Sequence, residues 1–335
     1  MRRIERRTFI KNAAAMAAAA GGGVLGSPFA FVPRAGAQEA GWPTKPIHFI
    51  VPLAPGGAID FIARALGEVM QRNAGQQIVV ENRTGAGGTI GMDAAMKSAP
   101  DGYTVLITND NAASAPHIMN LSYDYTKQLQ PVCYLGRQSQ FLAAHSSLGV
   151  STVKELVEYV KKNPGLGYAS SGVGSNQHVA GEWFAKEAGI KIEHVPYRGA
   201  GQAINDLIAA HVKTAFLGPT ALFPHYKAGT IKLLAHTGSK RSPILPEIPT
   251  LDESGYKVVL DAWYAAFVPT GTPAGIVAKL NSEMNSALKD AKLLETFKAG
   301  AVEPIGGTPD EIGKIAQADS VKYARLVKEL NIKTN

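Results

Sequence analysis

Hydrophobic and polar positions alternate along the chain in two kinds of block. Short apolar runs such as residues 47–54 predict buried strands, and stripes with a period near 3.6 predict amphipathic helices. The first helix is expected from Ala58 to about Arg72, and the chain is expected to be helical after about residue 272. Strand and helix follow each other almost from end to end, which is typical of an α/β fold.

Four joints between a predicted strand and the following helix are rich in glycine and serine. They lie at residues 55–57, 84–88, 172–175 and 198–201. In open α/β sheets such joints gather at the carboxyl ends of the strands, where ligands bind. They also leave main-chain amides bare at helix N-termini, which suits recognition of a carboxylate or another polar oxygen.

Two apolar segments, residues 131–145 and 258–273, are long enough to cross between two lobes. A chain with about 300 residues after its leader is also larger than one core usually fills. We therefore expect an α/β clamshell with two crossing strands as its hinge. The first lobe is predicted to comprise residues 42–142 and 261–335, and the second, inserted lobe residues 143–260.

The first 37 residues have the features of an export signal. A basic start and an Ala/Gly-rich run lead to Ala35-Gly36-Ala37, which fits an A-x-A cleavage site. The segment RRTFIK, which begins at Arg6, resembles the twin-arginine signature and implies export in the folded state. An uncleaved membrane anchor is the alternative, but the apolar run is too short and too rich in small residues to span a bilayer well. We predict cleavage near Ala37.

Removing this leader changes the interpretation of the charge. Residues 1–37 carry +5 of the chain's net +7, so the mature part is near +2 and has no long basic run. The charge therefore gives no support for binding to nucleic acid or to a membrane surface. The single cysteine, Cys133, excludes an internal disulfide and is expected to be a small buried side chain.

The common enzyme signatures are absent from the sequence. The glycine-rich segments at 85–90 and 172–177 lack the third glycine of a dinucleotide-binding motif, and neither a P-loop nor a G-x-S-x-G elbow occurs. The eight histidines are scattered without an i,i+4 pair, which argues against a metal site. We expect no catalytic residue, no metal and no cofactor, and hence a binding protein rather than an enzyme.

Several polar and aromatic residues near the joints have two interpretations each. Asp60 and Arg64 are spaced as an i,i+4 helix pair, and Asp60 could equally tie down the glycine-rich loop. His178 could bond a ligand or a backbone carbonyl. Trp263 and Tyr264 could be core aromatics or, on a hinge strand that lines a cleft, a platform for a ligand.

Several segments together resemble the substrate-binding receptors of tripartite tricarboxylate transporters, the Bug family. They include PTKPIHFIVPLAPGGAIDFIAR at 43–64, VVENRTGAGGTIG at 79–91, APDGYTVLI at 99–107 and VPYRGAGQAINDLIAAHV at 195–212. The match covers essentially the whole mature chain in the right order. The resemblance implies a type II periplasmic-binding-protein fold, location in the periplasm, and capture of a small carboxylated metabolite for delivery to membrane permease subunits.

In that family, two loops of the first lobe and the Ser/Gly joint of the second lobe embrace the ligand. The loops correspond here to residues 54–58 and 84–88. The segment 108–120 departs from the family pattern, and its Asp110 could repel a carboxylate or accept from an amine or hydroxyl. Arg198 is the one cation on a joint and could face a ligand carboxylate or a surface partner. The predicted ligand-binding residues are Ala54, Gly57, Ala58, Asp60, Gly87, Gly88, Thr108, Asn109, Ser171, Gly174, Ser175, His178 and Arg198.

Two other functions stay open at this point. An exported enzyme acting on a small organic acid or ester would have to use the cluster formed by Ser170, Ser171, Ser175 and His178. A receptor that presents its ligand to a signalling partner would have the same binding chemistry as a transport receptor. In each case we expect a monomer.

Overall fold

The computed structural model describes residues 41–242 and 244–332. The predicted export signal and its cleavage site lie outside these residues. None of the helices within the described ranges is long and apolar enough to cross a membrane. Cys133 is a free, buried cysteine.

The described residues form two sheets, the first with six strands and the second with five. The strands of the first sheet are Ile47–Val51 (β1), Ile78–Asn82 (β2), Thr104–Asn109 (β3), Leu129–Ser139 (β4), Asp261–Pro269 (β10) and Glu303–Pro304 (β11). Their order in the sheet is β11–β4–β10–β3–β1–β2. Strand β1 runs parallel to β2 and β3, whereas β10 is antiparallel to β3 and β4, and β11 is antiparallel to β4.

Five strands form the second sheet, in the order β7–β6–β8–β5–β9. Strand β6 is parallel to β7 and β8, and β5 is antiparallel to β8 and β9. The strands are Phe141–His145 (β5), Gly167–Ser170 (β6), Glu193–Pro196 (β7), Thr214–Leu217 (β8) and Ile231–His236 (β9). The two sheets define the two lobes of an α/β clamshell, as the sequence predicts.

In residues 41–242 and 244–332, seven α-helices accompany the first sheet, and they are Ala58–Ala74 (α1), Thr89–Met96 (α2), Asn111–Ile118 (α3), Tyr125–Gln128 (α4), Ala274–Ala287 (α9), Ala291–Ala299 (α10) and Pro309–Glu329 (α11). Four α-helices in the same ranges accompany the second sheet, and they are Val153–Lys162 (α5), Asn176–Ala188 (α6), Ala200–Ile208 (α7) and Pro219–Lys227 (α8). The first helix begins at the predicted residue and extends two residues beyond the predicted end.

Local signals in the sequence fix several helix starts. At α11, Thr308 and Glu311 form a complete capping box, with Glu311 N donating to Thr308 Oγ1 at 3.3 Å and Thr308 N donating to Glu311 Oε2 at 2.6 Å. At α5 the box is shifted: Thr152 caps Glu155 N, but the Glu155 carboxylate accepts from Ser151 N instead. Both arrangements satisfy amides that a helix start leaves without partners.

The first sheet is buried on both faces. On one face, side chains of α1, α9 and α10 pack with β1 in a single apolar cluster that includes Phe49, Leu66, Leu280 and Phe297. On the other face, α2, α3 and α11 pack against the same sheet. This double coverage explains why the central strands are apolar along most of their length.

Thr237 joins the two connections between the sheets. Strands β4 and β5 are separated by Gln140 alone, whose N donates to Thr237 Oγ1 at 3.0 Å and whose O accepts from Thr237 N at 2.8 Å. On the return path, Leu260 N donates to Thr237 O at 2.9 Å and Leu260 O accepts from Thr237 Oγ1 at 2.6 Å. The predicted crossing segment 131–145 therefore corresponds to β4 and β5, and the segment 258–273 supplies β10.

Replacing Gly181 with alanine is expected to destabilise the second lobe. A Cβ at this position in α6 would overlap the ring of Tyr168, which is fully buried and held by hydrogen bonds to His178 O and Glu182 Oε1. Overpacking of this kind costs about 1–3 kcal/mol, which should lower the melting temperature by roughly 2–4 °C for each kcal/mol. Thermal unfolding followed by circular dichroism measures the effect. Glu187→Ala, an exposed position on the same helix, is the matched control, and equal losses in both variants would contradict the argument.

Candidate functional site

The carboxylate of Asp60 fixes the glycine-rich turn between β1 and α1 through hydrogen bonds. It accepts from Gly56 N at 3.2 Å, from Arg64 Nε at 3.0 Å and from Asn82 Nδ2 at 3.1 Å. Both sequence-level interpretations of Asp60 therefore hold, because the residue pairs with Arg64 and also ties down the loop. Helix α1 begins after Gly57, which has no side chain to cap it, so the first-turn amides are left to face the cleft.

The Ser/Gly joint of the second lobe is held in place by a series of hydrogen bonds between buried side chains. Ser171 Oγ donates to Gln177 Oε1 at 2.7 Å, and Gln177 Nε2 donates to Gln140 Oε1 at 2.8 Å. All three residues are buried. Since Gln140 separates β4 from β5, these hydrogen bonds connect the joint directly to the hinge.

The lobes are closed on each other in this structure. Ala54 N donates to Arg198 O across the cleft at 3.0 Å. A Cβ on Gly201 would overlap Pro55 O, and a Cβ on Gly87 would overlap Val173 O. Glycine is therefore needed where the two backbones meet.

Two of the cavities between the closed lobes are bounded by both Leu53 and Ser171. The inner cavity, of about 20 Å³, lies at the N-terminal ends of α1 and α7. A volume of this size holds about one water molecule or one small polar group. The outer cavity, of about 330 Å³, is bounded by the glycine-rich joint that precedes α2 and by the joint that contains Arg198.

Nine of the predicted ligand-binding residues line these cavities. In the inner cavity they are Ala54, Gly57, Ala58, Asp60, Asn109 and Ser171. In the outer cavity they are Gly87, Gly88, Arg198 and, again, Ser171. Apart from Asn109, which ends β3, the residues lie in or next to the four joints, and closing of the lobes brings the joints together.

Four predicted residues line neither cavity. Thr108 is buried in β3, and Gly174 O accepts a hydrogen bond from Ser114. Ser175 caps α6, where its Oγ accepts from His178 N at 3.2 Å and donates to Gly172 O at 2.7 Å. The ring of His178 stacks on His194 at 3.8 Å, and burial lowers its pKa to about 4, so the imidazole is neutral. Gly174, Ser175 and His178 thus make contacts within or beside the joint of the second lobe rather than lining a cavity.

Gln177 and Tyr264 line the inner cavity and are absent from the residues predicted to bind a ligand. Tyr264 carried a signal in the sequence, as an aromatic on a segment expected to border the cleft. Its OH donates to Gln138 Oε1 at 2.9 Å, which fixes the ring at the hinge. Gln177 gave no such signal, because its position depends on how α6 packs against the hinge.

The segment after β3, which departs from the family pattern, does not place Asp110 at either cavity. Residues 111–118 form α3, and Asp110 turns away from both cavities towards Asn176 of the second lobe. Burial raises the pKa of Asp110 to about 7. Neither expected role of Asp110 towards a ligand in the cavities is therefore met.

The serine and histidine cluster has no hydrolase arrangement facing the cleft. Ser170 Oγ lies 2.6 Å from His194 Nε2, but Ser170 is fully buried and lines neither cavity. Ser171 donates to an amide oxygen rather than to a base. Among the described residues, no group of three or more His, Cys, Asp or Glu side chains is placed to hold a metal ion.

This clamshell, with helix N-termini at a cavity between two hinged lobes, is that of a periplasmic binding protein. The model of the tripartite tricarboxylate transporter family receptor matches residues 62–332, and the chain belongs to this family. The resemblance found in the sequence is thereby confirmed.

Individual relatives agree with this assignment. Protein BugT of Bordetella pertussis is 34% identical over 87% of this chain and 91% of its own length. The structure of Rpa4515 from R. palustris with adipate is 30% identical, with a TM-score of 0.84 over 88% of this chain and 99% of that one. MatC from Rhodopseudomonas palustris with bound malate is 27% identical, with a TM-score of 0.81 over 85% and 100% of the two chains.

The variant Gly201→Ala is expected to prevent full closure without destabilising the lobes. Gly201 lies in the first turn of α7, where alanine favours the helix, but the added Cβ would overlap Pro55 O of the other lobe. Small-angle X-ray scattering should therefore give a larger radius of gyration than for the wild type, with an unchanged or higher melting temperature. The control is Asn205→Ala, on the exposed side of the same helix. A variant as compact as the wild type would show that closure does not depend on this contact.

Proposed function

We propose that the chain is a periplasmic receptor that captures a small carboxylate between its lobes and delivers it to membrane permease subunits. The observation that carries the proposal is the inner cavity at the uncapped N-termini of α1 and α7. The helix dipole and the unpaired amides both favour a negative charge at that position. Family membership supplies the transport context.

Backbone amides are the main ligand donors in this proposal. One helix N-terminus contributes roughly 0.3–1 kcal/mol towards an exposed anion, whereas micromolar binding requires about 8 kcal/mol. Two helix ends, Asn109, Ser171 and exclusion of water on closure therefore have to act together. Asp60 holds the loop and does not contact the carboxylate, because its oxygens already accept from Gly56, Arg64 and Asn82.

The outer cavity suits the second end of an extended ligand. It adjoins the inner cavity at Leu53 and Ser171, and Arg198 stands at its edge with an exposed side chain. Among the described residues, no carboxylate lies within ion-pair distance of Arg198. We infer that the ligand is a dicarboxylate, with one carboxylate in the inner cavity and the other near Arg198. Adipate and malate, found in the two related structures, both have this chemistry.

The assignment of residues follows from this placement. We propose direct ligand contacts from Ala54, Gly57, Ala58, Asn109, Ser171 and Arg198, and from the joint that contains Gly87 and Gly88. Thr108, Gly174, Ser175 and His178 act by shaping the joints. Gln177 and Tyr264 are additions to the predicted set. No residue is assigned a catalytic role, since the serine hydroxyls at the cleft are not paired with a base.

The remaining features concern export and assembly. We propose a twin-arginine-type signal in residues 1–37, cleaved near Ala37, and a mature protein that acts as a monomer. We also propose that the lobes divide at residues 142/143 and 260/261. The start of β10 at Asp261 supports the second boundary, whereas Gln140 between β4 and β5 lies two residues before the first boundary.

Dicarboxylates are expected to stabilise the purified mature protein. A ligand at one hundred times its Kd adds about 2.7 kcal/mol, which should raise the melting temperature by roughly 5–10 °C at 2–4 °C per kcal/mol. A thermal-shift panel of mono-, di- and tricarboxylates, with native mass spectrometry to detect co-purified ligand, tests this. A panel without any shift, on protein that carries no ligand, would contradict the proposed ligand class.

Arg198→Gln is expected to weaken dicarboxylates selectively. The variant removes the charge near the outer cavity but leaves the inner cavity intact, so adipate should lose about fivefold in affinity, or about 1 kcal/mol. Hexanoate, which has the same chain length and one carboxylate, serves as the control ligand and should lose little. Isothermal titration calorimetry at two salt concentrations measures both, and an equal loss for the two ligands would show that Arg198 does not contact the second carboxylate.

A further inference from the structure

A polar contact crosses the seam between the lobes beside the cavities. Asp110, from the first lobe, and Asn176, the first residue of α6 in the second lobe, are both fully buried. Asn176 Nδ2 donates to Asp110 Oδ2 at 2.6 Å and lies 3.0 Å from Tyr323 OH of α11. Tyr323 OH donates to the same Asp110 oxygen. Both hydrogen bonds that the Asp110 carboxyl accepts here are therefore made to Oδ2.

One side-chain oxygen of Asp110 and the side-chain oxygen of Asn176 have no hydrogen-bond partner. Asp110 Oδ1 and Asn176 Oδ1 are both buried, and neither accepts a hydrogen bond. Two acceptor oxygens cannot satisfy each other, and buried polar atoms without partners are rare in folded proteins. A proton on Asp110 Oδ1 would turn that oxygen into a donor, and a neutral carboxyl can donate to an amide oxygen while it accepts from the amide nitrogen.

We propose that Asp110 and Asn176 are positioning residues for ligand capture, and that a neutral acid–amide pair between them holds the lobes closed. The inference deepens the proposed receptor function and rests on it. It assigns a role to the segment after β3, which otherwise contributes Met119 to the outer cavity.

The electrostatics of the seam agree with a neutral Asp110. Burial is the largest influence and raises its pKa to about 7, against the hydrogen bonds from Tyr323 and Asn176 that favour the charged form. The charged groups on the facing helix α11 oppose each other, because Asp319 raises the pKa and Lys322 lowers it.

The other titratable groups around the seam are uncharged near neutral pH. Burial raises the pKa of Tyr264 on β10 and that of Tyr323 on α11. On α6, the ring of His178 is turned towards His194, and burial lowers its pKa to about 4. None of these groups changes charge between pH 6 and pH 8.

Closing should therefore be linked to proton uptake. In the open form Asn176 moves away and water reaches the carboxyl, so its pKa falls towards the ordinary value near 4. The closed form has the higher pKa, so closure is favoured below about pH 7 and weakened as the pH rises through it. For these two pKa values the affinity for ligand should fall about tenfold between pH 6 and pH 8.

Asp110→Asn tests the pair directly. An asparagine reproduces the shape and the donor of the neutral acid but does not titrate, so closure should become independent of pH. Asn176→Leu is the matched variant from the other lobe, and it should weaken closure throughout the range. Circular dichroism melting curves establish that both variants are folded.

The readout should be the distance between the lobes in the full mature chain. Spin labels at Lys97→Cys and Lys191→Cys, exposed positions on opposite lobes, report it by double electron–electron resonance, because Cys133 is buried and stays unlabelled. Measurements run from pH 5.5 to pH 8.5, without ligand and with 10 mM adipate, and titration calorimetry gives the adipate affinity at each pH.

We expect the closed population of the wild type to fall as the pH rises through about 7, and that of Asp110→Asn to stay constant. A pH-independent wild type in both conditions, or the same pH profile in Asp110→Asn as in the wild type, overturns the proposal. Failure of adipate and related acids to bind would count against the receptor's ligand class instead, since the ligand-free distances would still report the seam.

Discussion

Direct contact between backbones across the cleft is the constraint on which the closed structure depends. Ala54 N meets Arg198 O at 3.0 Å, and the helix start at Gly201 lies against Pro55 O. Side chains on either surface would hold the lobes apart by the thickness of at least one methyl group. The glycines of the joints are thus required by tertiary contact as much as by their local turns. The same bareness leaves the amides at the N-termini of α1 and α7 free for an anion.

A loop without side chains needs another source of rigidity, and polar side chains set back from the cleft supply it. Asp60 holds the first loop by accepting from Gly56 N, and Asn82 ties Asp60 and Leu53 O together. On the opposite joint, Ser175 caps α6 and also bonds to Gly172 O. The Asp60 carboxylate and the Ser175 hydroxyl each form hydrogen bonds within their own loop. The cavities themselves are therefore lined largely by backbone amides, amide side chains and small residues. This division leaves two charged side chains at the cavities, Asp60, which is paired with Arg64, and Arg198.

Features that depend on local chemistry could be predicted from the sequence, whereas features that depend on packing could not. The start of α1 at Ala58 and the capping box of α11 follow from residues within one turn. Helix α3 was missed because its residues, NAASAPHI, include Pro116 and lack a clear apolar stripe; packing against α11 and β3 decides its structure. Gln177 has its role only because α6 brings it to Gln140. His178 was predicted to bind a ligand, but its ring stacks on the ring of His194.

The hinge and the cleft are connected by continuous hydrogen bonding. Ser171 at the cavities bonds to Gln177, Gln177 bonds to Gln140, and the backbone of Gln140 bonds to Thr237, which also fixes Leu260 on the return connection. Rotation of the second lobe about Gln140 must therefore shift Ser171 relative to the first lobe, because buried amides keep their partners. A ligand that bonds to Ser171 and to the amides of α1 spans this path on the open side. Ligand binding and the angle of the hinge therefore depend on the same set of contacts.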